Sequence, residues 1–121
     1  MNLKITSLVS VVLVLVGLAG FYFWHGNDDP PISITVSITD NGFKPEMTSI
    51  AKGTRVIFKN TDTKSHWPAS DFHPTHGIYP EFDPLKSINP VEEWSVVLKP
   101  GKWRYHDHLY PSFTGTIEVE K

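Results

Sequence analysis

The strongest constraint on the fold is an alternation of apolar and polar side chains with a period of two residues. From residue 32 to 39, isoleucine or valine alternates with serine or threonine, which is the pattern of a β-strand with one buried face. Further strand-like runs follow at 47–51, 54–60, 93–98, 102–106 and 114–120. Short strands separated by turn residues at intervals of roughly 8–12 residues predict an all-β Greek-key sandwich or barrel.

A long segment between the predicted strands has little regular pattern. Residues 61–90 contain five prolines and four aromatic residues, Trp67, Phe72, Tyr79 and Phe82. Irregular segments of this length are uncommon in a compact domain unless they are functional or disordered. Because disordered segments are poor in aromatic residues, we expect this loop to be ordered and to pack over one end of the sheet.

The N-terminal region predicts a membrane anchor. Residues 5–24 carry no charge, and a helix needs about 20 apolar residues to cross a bilayer. The apolar region of a secretory signal is shorter, roughly 7–15 residues, so an uncleaved transmembrane helix is favoured over a removed signal peptide. Lys4 precedes the span, whereas Asp28 and Asp29 follow it, and the positive side stays in the cytoplasm. The folded domain is therefore expected outside the cytoplasm, in a periplasm or at the cell surface.

Three parts are predicted along the chain. Residues 1–24 are the anchor, residues 25–31 are a polar linker with a double proline, and residues 32–121 are the β domain. The formal net charge at pH 7 is −2, which argues against a nucleic-acid partner.

Histidine is concentrated in two short stretches of the predicted domain. Five of the six histidines lie within 66–76 and 106–108, and the remaining one, His25, belongs to the linker. Clustered imidazoles bind borderline metals such as copper and zinc. Because the chain has no cysteine, type 1 blue copper, thiolate zinc and iron–sulfur sites are excluded within one chain. For imidazole ligands alone the Irving–Williams order favours copper, with zinc as the second choice.

The clearest candidate ligands are His106 and His108. They are two residues apart at the end of a predicted strand, so both side chains project to one side while Asp107 points away. His66 follows the strongest central strand, and it would meet this pair if that strand neighbours the strand that carries His106. The pattern then predicts three nitrogen ligands at one rim of the sheet.

Two further histidines lie in the proline-rich loop. Either His73 or His76 could complete the coordination sphere, with His76 slightly favoured, and either could instead be a surface group or orient a ligand. Nearby carboxylates could hold the second ring nitrogen of a ligand, as is common around metal sites; the candidates are Asp71, Glu81 and Asp83.

The order of these motifs resembles that of a known family. Residues 42–45 and 51–62, followed by His66, resemble the first half of a cupredoxin domain of the plastocyanin and azurin type. Residues 99–105, then the histidines, then residues 115–119 resemble its last two strands. The resemblance covers most of residues 32–120 and implies a cupredoxin-like fold.

The resemblance also implies ligand positions. His66 and His108 match the two histidine ligands of the family, whereas His106 stands where electron-carrying cupredoxins have the ligating cysteine, and Phe113 stands near the axial methionine. Loss of the thiolate removes the Cu–S bond that tunes blue copper.

A second resemblance concerns the His-X-His segment alone. The pattern Gly-X-Trp-X-Tyr-His-X-His at 101–108 is similar to a segment of multicopper oxidases, where such pairs supply ligands to a trinuclear copper cluster. This chain has a single His-X-His pair, so one domain is not expected to build that cluster.

These observations predict a membrane-tethered, cupredoxin-like protein that captures or delivers copper, a role that is favoured over an enzymatic one, although enzymatic activity stays open. Its expected partners are the metal ion, the membrane through the N-terminal helix, and a protein that exchanges metal or electrons with it. The alternatives are a redox protein, either a slow electron carrier or a small copper oxidase, and a metal-free interaction module.

Overall fold

The computed structural model describes Val11, Leu13 and Val14 and the continuous stretch 31–121. Val11, Leu13 and Val14 are helical. Among the residues that the structure describes, no helix is both long and apolar enough to span a membrane. Most of the predicted anchor and nearly all of the linker lie outside the described residues, so both stay predictions.

Residues 31–121 form one compact unit built from eight strands. These are β1 (Ser33–Thr39), β2 (Gly42–Lys44), β3 (Met47–Ile50), β4 (Arg55–Asn60), β5 (Pro68–Ser70), β6 (Glu93–Val97), β7 (Gly101–Asp107) and β8 (Thr114–Val119). One four-stranded sheet has the order β2-β1-β4-β6, and the other has the order β3-β8-β7-β5. The predicted all-β sandwich is confirmed for this part of the chain.

The alternation read from the sequence becomes the core between the sheets. In β1 the side chains of Val36 and Ile38 are fully buried, and in β4, which pairs in parallel with β1, Val56 and Phe58 are fully buried. Burial of one side chain of this size stabilises a fold by roughly 1.5–3 kcal/mol. The apolar period therefore fixes which face of each strand points inward.

The long loop also contributes to the core. Tyr79 and Phe82 are buried, and the Phe82 ring lies 5.6 Å from that of Phe58 and 5.3 Å from that of Tyr105. The Tyr79 hydroxyl accepts a hydrogen bond from the backbone N–H of Lys99 at 3.1 Å. The expectation of an ordered, packed loop is confirmed.

Two short strands were not predicted. Strand β2 and strand β5 have three residues each, which is too short for an alternating pattern to be recognised. All three residues of β5 are buried, so this strand has no polar face to mark its period.

One topological expectation was wrong. The central strand β4 does not neighbour β7, because the two strands lie in different sheets. Strand β7 pairs with β8 on one side and with the unpredicted β5 on the other. This changes which histidines lie beside the His-X-His pair.

Candidate metal centre

The pairing of β5 with β7 brings the two histidine-rich stretches together. In that ladder Ala69 lies opposite His106, so the chain that continues from β5 passes directly by the end of β7. The backbone N–H of His108 donates to the carbonyl oxygen of Trp67 at 2.7 Å, which extends the contact beyond the strand. The loop after β5 therefore carries its own two histidines to the His-X-His pair.

Four histidines converge at this end of the second sheet. We call His73 and His76 the loop pair, His106 and His108 the strand pair, and all four the histidine cluster. Ring centroids of the loop pair lie 4.8–5.3 Å from those of the strand pair, and each loop histidine is close to both strand histidines.

The ring nitrogens of the cluster have spacings suited to one metal ion. His76 Nε2 lies 3.0 Å from His108 Nδ1. Possible ligand atoms of His73, His106 and His108 all lie within 4.8 Å of one another. Metal–nitrogen bonds of about 2.0–2.1 Å separate neighbouring ligand nitrogens by roughly 3 Å, so these three rings would have to move closer together to share one ion. His76 is not in this group and would join it through its contact with His108.

His106 shows the clearest sign that a group is expected between these rings. Its side chain is 3 % exposed, and its Nδ1 lies 3.1 Å from Asp71 Oδ1. Its other nitrogen, Nε2, is buried without a hydrogen-bond partner. An unsatisfied buried polar atom costs about 1–3 kcal/mol, and a metal ion bound to Nε2 would remove that cost.

The electrostatics of His106 favour the neutral ring that a metal needs. Burial lowers the pKa of His106 below its ordinary value of 6.5, and the hydrogen bond with Asp71 only partly opposes this effect. The neighbouring imidazoles of the loop pair lower the pKa further, because two positive rings repel each other.

His76 is held in a similar way by a second carboxylate. It is buried, and its Nδ1 lies 2.6 Å from Asp83 Oδ2. The other oxygen of Asp83 accepts hydrogen bonds from the indole N–H of Trp67 and the backbone N–H of Leu85, each at 2.8 Å. Burial alone raises the pKa of Asp83, but these three hydrogen bonds outweigh it and the net pKa is lowered. A charged Asp83 therefore points Nε2 of His76 toward the cluster.

The remaining two histidines differ in exposure. His108 is half-buried with its ring 4.9 Å from that of Trp67, and burial, followed by the charges of the loop pair, lowers the pKa of His108. His73 is exposed. Its ring lies edge-on to His106 at 5.3 Å.

His66 was expected to be a ligand, but the structure does not bring it into the histidine cluster. Its side chain is 1 % exposed, with Nδ1 2.5 Å from Asp107 Oδ2 and Nε2 2.9 Å from Asp62 Oδ2. Both ring nitrogens therefore face carboxylates, and neither is free for a metal. The rings of Tyr110 and Phe113 lie 5.2 and 6.2 Å from the ring of His66, so aromatic side chains pack beside it.

Asp107 is the residue whose role the sequence did not reveal. It points away from the strand pair as predicted, but it is completely buried and accepts hydrogen bonds at Oδ1 from the backbone N–H groups of Trp67 and Leu109. Together with His66 it fixes the turn that carries His108. In the sequence, the position of Asp107 between two candidate ligands is the one feature that indicates its role in fixing this turn.

The three carboxylates named from the sequence have different outcomes. Asp71 and Asp83 contact cluster histidines as described above. Glu81 is exposed and forms no hydrogen bond with a histidine among the described residues.

Comparison with known proteins supports the fold. The model of the cupredoxin-like domain family matches residues 10–119. No curated protein matches the chain.

Solved structures give the same result. A purple cupredoxin from Nitrosopumilus maritimus is 20 % identical with a TM-score of 0.62, over 71 % of this chain and 98 % of that protein. Reduced amicyanin, in a single-residue variant, is 18 % identical with a TM-score of 0.63, over 79 % of this chain and 87 % of amicyanin.

A larger protein contains the same fold as one part. The copper-containing nitrite reductase of Thermus scotoductus is 26 % identical with a TM-score of 0.64, over 75 % of this chain. This chain spans only 23 % of that enzyme. With a family model that matches nearly the whole sequence and a two-sheet sandwich in the described residues, the chain belongs to the cupredoxin-like domain family.

Proposed function

We propose that the histidine cluster binds one copper ion and that the protein captures or delivers copper outside the cytoplasm. The observation that carries the proposal is the convergence of four imidazoles around the buried, unpartnered Nε2 of His106. The two flanking carboxylates would hold His76 and His106 with Nε2 facing the ion.

Copper is proposed ahead of zinc for two reasons. An all-nitrogen site binds Cu(II) more tightly than the other divalent first-row metals. Relatives by fold are copper proteins: the nitrite reductase is described as copper-containing, and amicyanin is described in its Cu(I) form. The first argument depends on imidazole ligands alone, and this chain has no thiolate.

The choice of metal handling over fast electron transfer rests on the ligands. Blue-copper sites tune their potential through a cysteine sulfur and a weak axial ligand. The cluster proposed here contains only imidazoles, and Phe113 lies against His66 rather than near the cluster histidines. Copper would therefore be held without the Cu–S bond on which rapid electron exchange depends.

The proposed location follows from the sequence of residues 1–31. An uncharged stretch at 5–24 with Lys4 before it and two aspartates after it supports a membrane anchor with the domain outside the cytoplasm. A membrane-held domain would exchange copper with a protein partner on the same side.

Electron paramagnetic resonance of the Cu(II)-loaded chain tests the site. We expect coupling to several nitrogens, only weak visible absorption, and complete loss of the specific signal in His106→Ala. The His25→Ala variant, which removes a histidine of the predicted linker, is the matched control, and its nitrogen pattern should equal that of the wild type. If copper changes neither the spectra nor the thermal stability of the wild type, a metal-free interaction module replaces the proposal.

A redox role is the second candidate, favoured by the nitrite reductase and amicyanin among the fold relatives. It predicts a reversible Cu(II)/Cu(I) couple in cyclic voltammetry together with turnover of an oxygen species or electron donor. Such turnover at catalytic rates would overturn copper handling as the main function.

A further inference from the structure

The four cluster histidines are not held equally. His76 and His106 each have Nδ1 on a carboxylate, and both are buried. His108 is half-buried and tied through its backbone N–H to Trp67. The ring of His73 is exposed and makes no hydrogen bond with any residue in the stretch 31–121.

We propose that His73 is the exchange ligand of the copper site, the one whose bond to the metal breaks first when copper passes to an acceptor. The inference rests on the proposed copper function and specifies how that site releases its metal. The acceptor is a nitrogen or sulfur donor that reaches the ion from the solvent side, where His73 stands.

The physical reason is that the imidazoles differ in the free energy needed to break their bond to the ion. If the ion leaves His106, the buried Nε2 of that ring has no hydrogen-bond partner, and the free energy of that state rises. If the ion leaves His73, the exposed ring nitrogen is hydrated at once. Release therefore begins at His73, the most exposed of the four rings, because water replaces the metal there most readily.

The exchange step leaves the copper oxidation state unchanged. The bond between copper and the His73 nitrogen breaks, and the electron pair stays on the imidazole. A donor atom of the acceptor then forms a new bond to copper in the freed position. The three remaining imidazoles keep the ion bound until the acceptor supplies further ligands.

Transfer kinetics from the full-length chain in detergent test this order. The Cu(II)-loaded protein is mixed with increasing concentrations of the tripeptide Gly-Gly-His, and copper transfer is followed by absorbance. In the wild type the observed rate should rise and then reach a ceiling set by departure of His73. In His73→Ala the ceiling should disappear, so that the rate increases in proportion to the peptide concentration.

A spectroscopic measurement on the same samples is independent of transfer. Electron paramagnetic resonance of His73→Ala should show one coordinated nitrogen fewer than the wild type, with copper affinity lower by at least about tenfold. The variant His25→Ala, which removes a histidine outside the stretch 31–121, should match the wild type in both measurements.

Four outcomes overturn the inference about His73 without contradicting copper binding by the wild type. These are a ceiling that persists in His73→Ala, an unchanged nitrogen pattern in that variant, a complete loss of binding equal to that in His106→Ala, and a rate in the wild type that never reaches a ceiling. Failure of the wild-type chain to bind copper would instead overturn the proposed function itself.

Discussion

At the scale of single residues, a carboxylate decides which ring nitrogen of a buried histidine is available. Asp71 and Asp83 occupy the Nδ1 side of His106 and His76, so each ring presents Nε2 to the cluster. His66 has a carboxylate on both sides and presents nothing. A histidine is thus a candidate ligand where one ring nitrogen faces the cluster, and a purely structural residue where carboxylates contact both ring nitrogens.

Asp83→Asn should weaken copper binding by about 10–100-fold, the usual effect of removing a carboxylate that orients a ligand. The amide keeps the shape of the side chain but loses the negative charge that makes His76 a stronger donor. Competition titration against a chelator measures the loss. Glu81→Gln is the matched control, because Glu81 is an exposed carboxylate of the same loop, and an equal loss in both variants would contradict the assignment.

His66→Gln should destabilise the fold without changing the copper ligands. The substitution leaves the completely buried Asp107 with one hydrogen-bond partner fewer, and an unsatisfied buried polar group typically costs about 1–3 kcal/mol. Urea denaturation of the metal-free protein measures the change. If this variant instead keeps full stability and loses one coordinated nitrogen, His66 is a ligand after all.

At the scale of elements, the site depends on the order of strands in the second sheet. Strand β7 carries His106. On one side it pairs with β5, which is followed by the loop that carries the loop pair, and on the other side it pairs with β8. Opposite His106 in β5 stands Ala69, which is completely buried. A small residue there lets the loop lie close to the end of β7.

The contact of β7 with β8 contains a position that only glycine fits. A Cβ at Gly115 would overlap the ring and hydroxyl of Tyr105, whose own side chain is packed between Phe43 and Phe58. Gly115→Ala should therefore destabilise the domain by about 1–3 kcal/mol, the usual cost of overpacking.

Thermal denaturation measures this prediction. Gly77→Ala is the control, since a Cβ at Gly77 would have only the Thr75 hydroxyl nearby, at 3.5 Å. Equal melting temperatures for Gly115→Ala and the wild type would show that Tyr105 can move aside without cost.

At the scale of the whole molecule, burial of the site couples metal binding and stability to pH. The lowered pKa values of His106 and His108 mean that both rings are still mostly neutral at pH 6.5, where an ordinary histidine is half protonated. Copper binding should accordingly persist to a lower pH than in a peptide with the same histidines. Copper titrations of the protein and the peptide at stepwise lower pH measure this difference, and equal midpoints would contradict it.

Stability of the metal-free protein should respond in the same range. Because the folded pKa of these two histidines lies below the unfolded value, the unfolded state binds more protons as the pH falls. Stability is therefore highest above pH 6.5 and declines as the pH drops from 6.5 toward the folded pKa values. Nuclear magnetic resonance of the ring protons gives both pKa values directly, and midpoints at or above 6.5 would contradict the prediction.

Local patterns in the sequence predicted most of the fold. The alternation at 32–39 became β1 at Ser33–Thr39, and the final run at 114–120 became β8 at Thr114–Val119. The aromatic content of the loop correctly indicated order, because Tyr79 and Phe82 gain free energy by leaving water. Strands of three residues escaped recognition because they span fewer than two repeats of the two-residue period.

What the sequence determined by itself is the chemistry available to this protein: several imidazoles, no thiolate, and strands with one apolar face. Only the tertiary structure decided which imidazoles meet. Placement of β5 beside β7 brought the loop pair to the strand pair, while Asp62 and Asp107 took both nitrogens of His66. Apart from the local contact of Asp62 with His66, these contacts join residues thirty or more positions apart. They depend on which strands pair, and a local pattern carries no information about that pairing.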